Sequence, residues 1–365
     1  MSDSPQALAA KLAELCASPA LAQRKLRFME VCGTHTMSVY RHGLKKLLPA
    51  NVELISGPGC PVCVTPAALT AQALAWARQP GVTLVSFGDM LRVPVARDSL
   101  LQARAEGCDV RMVISPLEAL QIAEQEPRQQ VIFFAVGFET TAPLSAATIL
   151  QAAQQRLKNF SLFSAHRLMP PALRRLLRDG PHLDGLLLPG HVSAVSGADY
   201  FAFVPEELAL PAVVAGFEPA EILSALLMLA HQAAARVCRL ENAYSGVVRP
   251  EPSPTAWAAL QQAFLPADAY WRGLGEIAGS GLAIRPAYAA YDAAIRFGLP
   301  EAGLMEIAEN PACCCGLVLR GEMKPSACPL FGAVCSPEDP QGACMVSSEG
   351  ACAAVYRYEK IEDRG

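Results

Sequence analysis

Eight short apolar runs set the strongest limit on how this chain can fold. They are Leu26–Val31, Val52–Ile55, Val82–Phe87, Val110–Ile114, Val131–Val136, Ser161–Ser164, Gly185–Leu188 and Ala212–Ala215. Ala/Leu-rich helical segments lie between most of them, among them Pro66–Arg78, Ser99–Glu106, Pro116–Gln125, Ala142–Leu157 and Pro170–Arg178. A strand that is apolar throughout has no face to offer water, so these runs predict parallel strands covered by helices on both sides. The fold class is therefore α/β. The number of runs suits two doubly wound parallel-sheet domains with a cleft between them better than one large sheet.

The residues just after each run carry the functional signal. In open α/β sheets, ligands sit outside the carboxyl ends of the strands. Here those ends lead into Cys32-Gly33-Thr34-His35, Gly57-Pro58-Gly59-Cys60, Gly88-Asp89, Ser115, Gly137-Phe138-Glu139-Thr140-Thr141, His166-Arg167 and Pro189-Gly190-His191. Ligating or titratable residues at most strand ends predict that the cleft is the functional site. Gly216-Phe217-Glu218 echoes Gly137-Phe138-Glu139, but three residues are too few to establish a duplication. From Pro219 the pattern changes: a long helix over about 220–240 leads into the Pro-rich stretch Arg249–Pro254, which reads as a connection to another module.

Composition narrows the classes. With 365 residues, 52% hydrophobic and 18% charged, the chain predicts several compact domains rather than disorder. A net charge of −4, with no basic block, gives no nucleic-acid footprint. The N-terminus lacks a secretory pattern, and the most apolar helix candidate, Ile222–Ala235, is too short to span a bilayer. A soluble, cytoplasmic protein is expected. In a reducing compartment, thirteen cysteines point to metal or redox chemistry rather than a disulfide framework.

Two cysteine groups stand out. Cys60-Pro61-Val62-Cys63 comes after a strand and a Gly-Pro-Gly break, which predicts a stiff loop with two sulfurs facing outward. With Cys32 and His35 it suits a Cys₃His zinc site, a thiolate platform for iron, or a C-x-x-C redox couple. Cys313, Cys328, Cys335 and Cys352 give C-x14-C-x6-C-x16-C in a loop-rich segment, with Cys314, Cys315 and Cys344 left over. That set suits a [4Fe–4S] cluster, with structural zinc as the alternative and Cys315 as the rival to Cys313 for the first ligand. Glu139 is a candidate proton handler, while Thr140 or Thr141 is a candidate helix cap. His166 and His191 are weighed the same way. Ser347-Ser348-Glu349 is read as a polar wall of the cysteine-rich module, Cys16 as core, and Cys108 and Cys238 as core or surface. No dinucleotide fingerprint, Walker A motif or G-x-S-x-G elbow is present.

Taken together, Cys32-Gly33-Thr34-His35-Thr36, Gly57–Cys63, Gly137–Pro143, Pro189-Gly190-His191-Val192-Ser193 and Cys344–Gly350 resemble the HypD family of hydrogenase maturation (hydrogenase formation) proteins. The resemblance runs from about Arg27 to Tyr358 and implies that the two doubly wound parallel-sheet domains are similar. It implies a metal-cofactor assembly scaffold with redox activity, rather than a conventional enzyme, for the Fe(CN)₂CO group of [NiFe]-hydrogenases. It implies iron on Cys32, Cys60 and Cys63, and a [4Fe–4S] cluster on Cys313, Cys328, Cys335 and Cys352. His35 and Glu139 join the three thiols as candidate catalytic residues. The implied partners are a HypC-type small chaperone, a HypE-type cyanide donor and, indirectly, a hydrogenase large-subunit precursor. Cys314 departs from the family pattern, where a basic or polar residue is expected. The expected domains are 24–115 (Cys32 and Cys60/Cys63 loops), 116–218 (Gly137–Pro143 and His191 loops), and a mainly helical, loop-rich [4Fe–4S] domain from 1–23 and 219–365. The rival reading is an iron-sulfur thiol–disulfide oxidoreductase acting on protein disulfides.

Overall fold

The computed structural model describes residues 3–96, 98–298 and 310–359. All eight apolar runs form strands: β1 (Leu26–Glu30), β2 (Val52–Ser56), β3 (Val82–Ser86), β4 (Val110–Met112), β5 (Gln130–Gly137), β6 (Phe160–His166), β7 (Gly185–Pro189) and β8 (Ala212–Ala215). Three further strands come after them, β9 (Leu240–Asn242), β10 (Phe264–Trp271) and β11 (Gly275–Ile284). One parallel sheet runs β2-β1-β7-β8-β9 and a second β4-β3-β5-β6, while β10 and β11 make an antiparallel hairpin. The interior strands β3, β7 and β8 are buried at every position, as their unbroken apolar runs require.

Alternate side chains of each strand serve different cores, because successive residues point to opposite faces. Leu26, Phe28, Leu187 and Val213 pack under the helices Pro5–Cys16 and Pro219–Ala235. Val131, Phe133, Phe160 and Leu162 pack under the helices Pro116–Gln125, Ala142–Gln155 and Pro254–Ala263. The remaining faces share one central core: Met29, Val31, Leu186 and Leu188 from the first sheet, and Leu84, Ile132, Phe134 and Ala165 from the second. Cys60, Cys63, Cys315, Cys335, Cys344 and Cys352 belong to that same core. The inner faces of the two sheets thus share one core with helical residues such as Ala73, Leu173 and Val192, and both cysteine groups contribute to it.

The strand pairing departs from the sequential division expected at 115/116. That division groups β3 and β4 with β1 and β2, yet they pair with β5 and β6. Instead β7 and β8 return to complete the sheet of β1 and β2, and β9 joins them from beyond the expected 218/219 boundary. Fully buried strands carry no polar edge pattern, so nothing local marks which neighbour each one takes. The hairpin β10–β11 is a second difference, in a region read as helix and loop. Its first strand alternates in burial from Leu265 to Trp271, with Leu265, Ala267, Ala269 and Trp271 on the more buried face.

Both sheets repeat one strand order, β2-β1-β7-β8 against β4-β3-β5-β6, so β7 corresponds to β5 and β8 to β6. Gly216-Phe217-Glu218 lies after β8, whereas Gly137-Phe138-Glu139 lies at the end of β5. The echo therefore falls at non-equivalent strand ends. The order reverses between β1 and β7 in one sheet and between β3 and β5 in the other. Each reversal opens a crevice at the carboxyl ends, where Cys32 and Asp89 lie.

Candidate thiol and metal site

Cys32 leaves β1 and is the N-cap of the helix Gly33–Arg41. Its backbone N–H donates to Glu30 Oε2 at 3.1 Å, and Thr36 Oγ1 donates to Glu30 Oε1. Glu30 is buried, which pushes its carboxyl up to about 8 against those hydrogen bonds. Burial, helped by the Glu349 and Glu30 carboxyls, pushes the Cys32 thiol up to about 12. Without a cation beside it, Cys32 is a protonated thiol. A bound metal would stabilise its thiolate.

The Cys60 loop lies directly against Cys32. A Cβ on Gly59 would stand 2.3 Å from the Cys32 backbone nitrogen and 2.4 Å from its Cα, and Gly33 N donates to Gly59 O at 3.0 Å. Only glycine allows two backbones to approach so closely. Cys60 caps the short helix Pro61–Val64, accepting from Cys63 N at 3.1 Å. Cys60 and Cys63 form a disulfide with Cα atoms 5.2 Å apart. Their exposures are 3% and 0%, so the sulfurs face inward, not outward as the loop chemistry predicts. The reason is tertiary: the segment Ala343–Val346 packs on this helix, and its Ala343 carbonyl lies 3.9 Å from Cys63 Sγ.

Beyond that segment, residues 347–349 strap across both sheets. Thr34 Oγ1 donates to Glu349 Oε1 at 2.6 Å. Asp89 Oδ2 accepts from Ser347 Oγ at 3.1 Å, Ser348 N at 3.0 Å and Ser348 Oγ at 3.2 Å. Ser347-Ser348-Glu349 therefore faces the strand ends of β1 and β3. Burial raises the Glu349 carboxyl above its usual range.

At the far side of the strap, Cys313, Cys314, Cys315, Cys328, Cys335 and Cys352 line one cavity, with Val318, Leu330, Phe331 and Met345 as its apolar walls. Cys344 is fully buried at its edge. The Cys313 and Cys344 thiols donate to Cys315, and with Arg272 nearby they hold Cys315 below the usual thiol range while their own values rise. Among the described residues, no three His, Cys, Asp or Glu side chains converge on a single-ion geometry. The donor set nonetheless fits an iron-sulfur cluster: it is all sulfur, its walls are apolar, and no carboxylate lines the cavity. Gly342 keeps space open there, since a Cβ would stand 2.6 Å from Cys313 Sγ and 3.5 Å from Cys315 Sγ. All four expected ligands line the cavity, and so do Cys314 and Cys315.

Comparison with known proteins gives the family of this chain. A family model described as "Hydrogenase formation hypA family" (HypD) matches residues 5–359. The chain belongs to the HypD family. It is 48% identical to the hydrogenase maturation factor HypD of Azotobacter vinelandii, over 96% of this chain and 94% of that protein. It is 45% identical to the HypD of Escherichia coli, over 93% and 91%. It is 44% identical to the HypD2 of Bradyrhizobium diazoefficiens, over 98% and 95%. Among the described residues, no helix is long and apolar enough to cross a membrane.

The side chains of the remaining candidates in this HypD-family chain engage groups other than the thiols. The His35 ring is fully buried, and its Nε2 pairs with the Gly216 and Ala215 carbonyls at 2.9 and 3.3 Å. Burial lowers it to about 4, so it is a neutral ring tying the Gly33–Arg41 helix to the end of β8. Phe217 stacks between His35 and the exposed His191, at 4.7 and 3.8 Å. Glu139 Oε1 accepts from Met169 N at 2.8 Å and Tyr200 Oη at 2.9 Å, Oε2 has no partner, and burial pushes the carboxyl up to about 7. His166 is buried beside Phe264 and lowered to about 4 by desolvation. Thr141 precedes the helix Ala142–Gln155 but makes no cap; its hydroxyl bonds back to Phe138 O at 3.3 Å. Cys16 is core, whereas Cys108 is half-buried and Cys238 exposed. Sequence reasoning missed Glu30, Tyr200 and Gly342, and quoted Thr36 in a motif without a role. Only Glu30, a charge inside an apolar run, carried a signal that could have revealed it.

Proposed function

We propose that this chain, a member of a hydrogenase maturation family, is a scaffold on which the Fe(CN)₂CO group of [NiFe]-hydrogenases is assembled. The observation that carries the reading is that the Cys60–Cys63 pair shares one buried core with cysteines of the cysteine-lined cavity, while the Cys32 backbone packs directly on the Cys60 loop. Cys32 and the Cys60/Cys63 pair would hold the iron cargo as thiolates, soft ligands suited to ferrous iron that also binds cyanide and carbon monoxide. In the disulfide form, Cys60 and Cys63 have no thiolate to offer. Two electrons and two protons break the S–S bond and leave two thiols, which lose their protons on binding metal. Cys313, Cys328, Cys335 and Cys352 would hold a [4Fe–4S] cluster, which when bound supplies single electrons inside the same core. A HypC-type partner would complete the iron's ligands, and a HypE-type partner would donate cyanide.

The rival, a reductase of protein disulfides, needs a nucleophilic sulfur that a protein substrate can reach. Burial of both sulfurs under the segment Ala343–Val346 counts against it. Infrared spectroscopy on the anaerobically purified protein, co-expressed with its maturation partners, tests the scaffold reading. Bands of iron-bound cyanide and carbonyl are expected, and Cys32→Ala should abolish them. Bands of undiminished intensity in Cys32→Ala would overturn the assignment.

A further inference from the structure

The strap that meets Gly33 and Thr34, next to Cys32, is held by two residues that the thiol chemistry does not use. Asp89 opens the short helix after β3, in the second sheet, while Cys32 and Thr34 belong to the first. One carboxylate oxygen of Asp89 takes both hydroxyls of Ser347 and Ser348 and the Ser348 amide. The other oxygen faces Arg92 at 3.4 Å, and the same Arg92 nitrogen donates to the Val346 carbonyl at 2.9 Å. Ser347 Oγ in turn accepts from Glu349 N at 3.2 Å, so the bonds from Asp89 continue directly to the residue that meets Thr34. On the Cys32 side the strap closes to contact, because a Cβ on Gly33 would stand 2.4 Å from Glu349 Cβ. The strap is flanked on either side by cysteines of the buried core, Cys344 and Cys352.

We propose that Asp89, assisted by Arg92, is a positioning residue for the thiol site: it clamps residues 346–349 so that Glu349 is seated at Thr34 and Cys32 is covered. The segment 347–350 is not helical; its backbone bonds are Ser347 N to Ala343 O and Ala354 N to Gly350 O at its two ends, and the turn bond Gly350 N to Ser347 O, so none reaches Ser348 or Glu349. Charge-assisted bonds to one carboxylate are therefore the main fixed points of its middle. Because Asp89 and Thr34 sit on different sheets, the clamp also fixes the carboxyl ends of β1 and β3 relative to each other. Releasing it uncovers Cys32 without unfolding either sheet. The proposal rests on the reading that Cys32 is the working thiol, but its test needs no iron cargo and no partner.

The experiment is peptide-resolved alkylation of the reduced, anaerobically purified protein with iodoacetamide, at one pH. Hydrogen exchange of the peptide containing Ser348 is measured in parallel. Losing these bonds in Asp89→Ala should speed both Cys32 alkylation and Ser348 exchange by about tenfold or more. Asp89→Asn keeps an oxygen acceptor for the Ser348 amide and should fall between Asp89→Ala and wild type. Cys16, buried under the far helices, should label at its wild-type rate in every variant. Wild-type rates at Cys32 and Ser348 in Asp89→Ala would overturn the proposal. Equal acceleration at Cys32 and Cys16 would also overturn it, since that reports general loosening. Ser348→Ala, which removes only one hydroxyl, supplies the same comparison if Asp89→Ala does not fold.

Discussion

Gly59→Ala tests whether the thiol loop is held by backbone contact rather than by its cysteines. The added methyl would lie 2.3 Å from Cys32 N, 2.4 Å from Cys32 Cα and 2.5 Å from Val31 C, all main-chain atoms. Ordinary carbon contacts are ~3.5 Å, so the two backbones must part by about 1 Å. No flexible side chain is available to give way. Overpacking of this kind costs about 3 kcal/mol. With a urea slope of ~3 kcal/mol/M, the midpoint should fall by about 1 M. The same movement separates Cys60 from Cys32, so iron-bound cyanide bands should weaken even where the protein remains folded. Gly246→Ala is the control: no atom lies within 4 Å of its Cβ position, so its change should stay within about 0.5 kcal/mol. Urea titration and infrared spectroscopy of both variants read the two effects. A Gly59→Ala protein matching Gly246→Ala in midpoint, with wild-type bands, would refute the close-approach argument.

Three further outcomes are expected. Cluster-free protein denatured without reductant should titrate eleven thiols, rising to thirteen after reduction as the Cys60–Cys63 bond opens; thirteen from the outset would mean that no disulfide had formed. Burial raises Glu139 from 4.5 to about 7, so between those values the folded chain keeps a proton that the unfolded chain releases, and stability falls as pH rises through the interval. Relative to wild type, Glu139→Gln should therefore gain up to ~3 kcal/mol across that window and nothing more above it, as read by urea midpoints at several pH values; parallel profiles would count against a buried protonated carboxyl. Cys328→Ser and Cys335→Ser should lose the visible absorption of an iron-sulfur cluster while the exposed Cys238→Ser keeps it, and equal loss in all three would remove the cavity assignment.

Much of this molecule is legible in its residues. Runs such as Val131–Val136 and Gly185–Leu188 carry no polar side chain, and burial on both faces is the arrangement that suits such a strand, so strand existence and parallel class are local properties. The glycines and cysteines at the strand ends likewise mark the carboxyl edge as the site. Which strand pairs with which is not local. β3 and β7 are both buried throughout, and only the closing of the whole core assigns one to each sheet.

Sequence by itself therefore determined the strands β1 to β8, the α/β class, the strand-end thiols and the cysteine set of the C-terminal region, because each depends on side-chain type and short-range spacing. Tertiary structure decided the rest. It turned the Cys60 and Cys63 sulfurs inward under Ala343, tied His35 to the carbonyls of β8 and the residue after it, and laid residues 346–349 between Asp89 and Thr34. Each of these is a contact between groups far apart along the chain. Its energy depends on desolvation and hydrogen bonding in a core shared by two sheets, and no local pattern of residues encodes that.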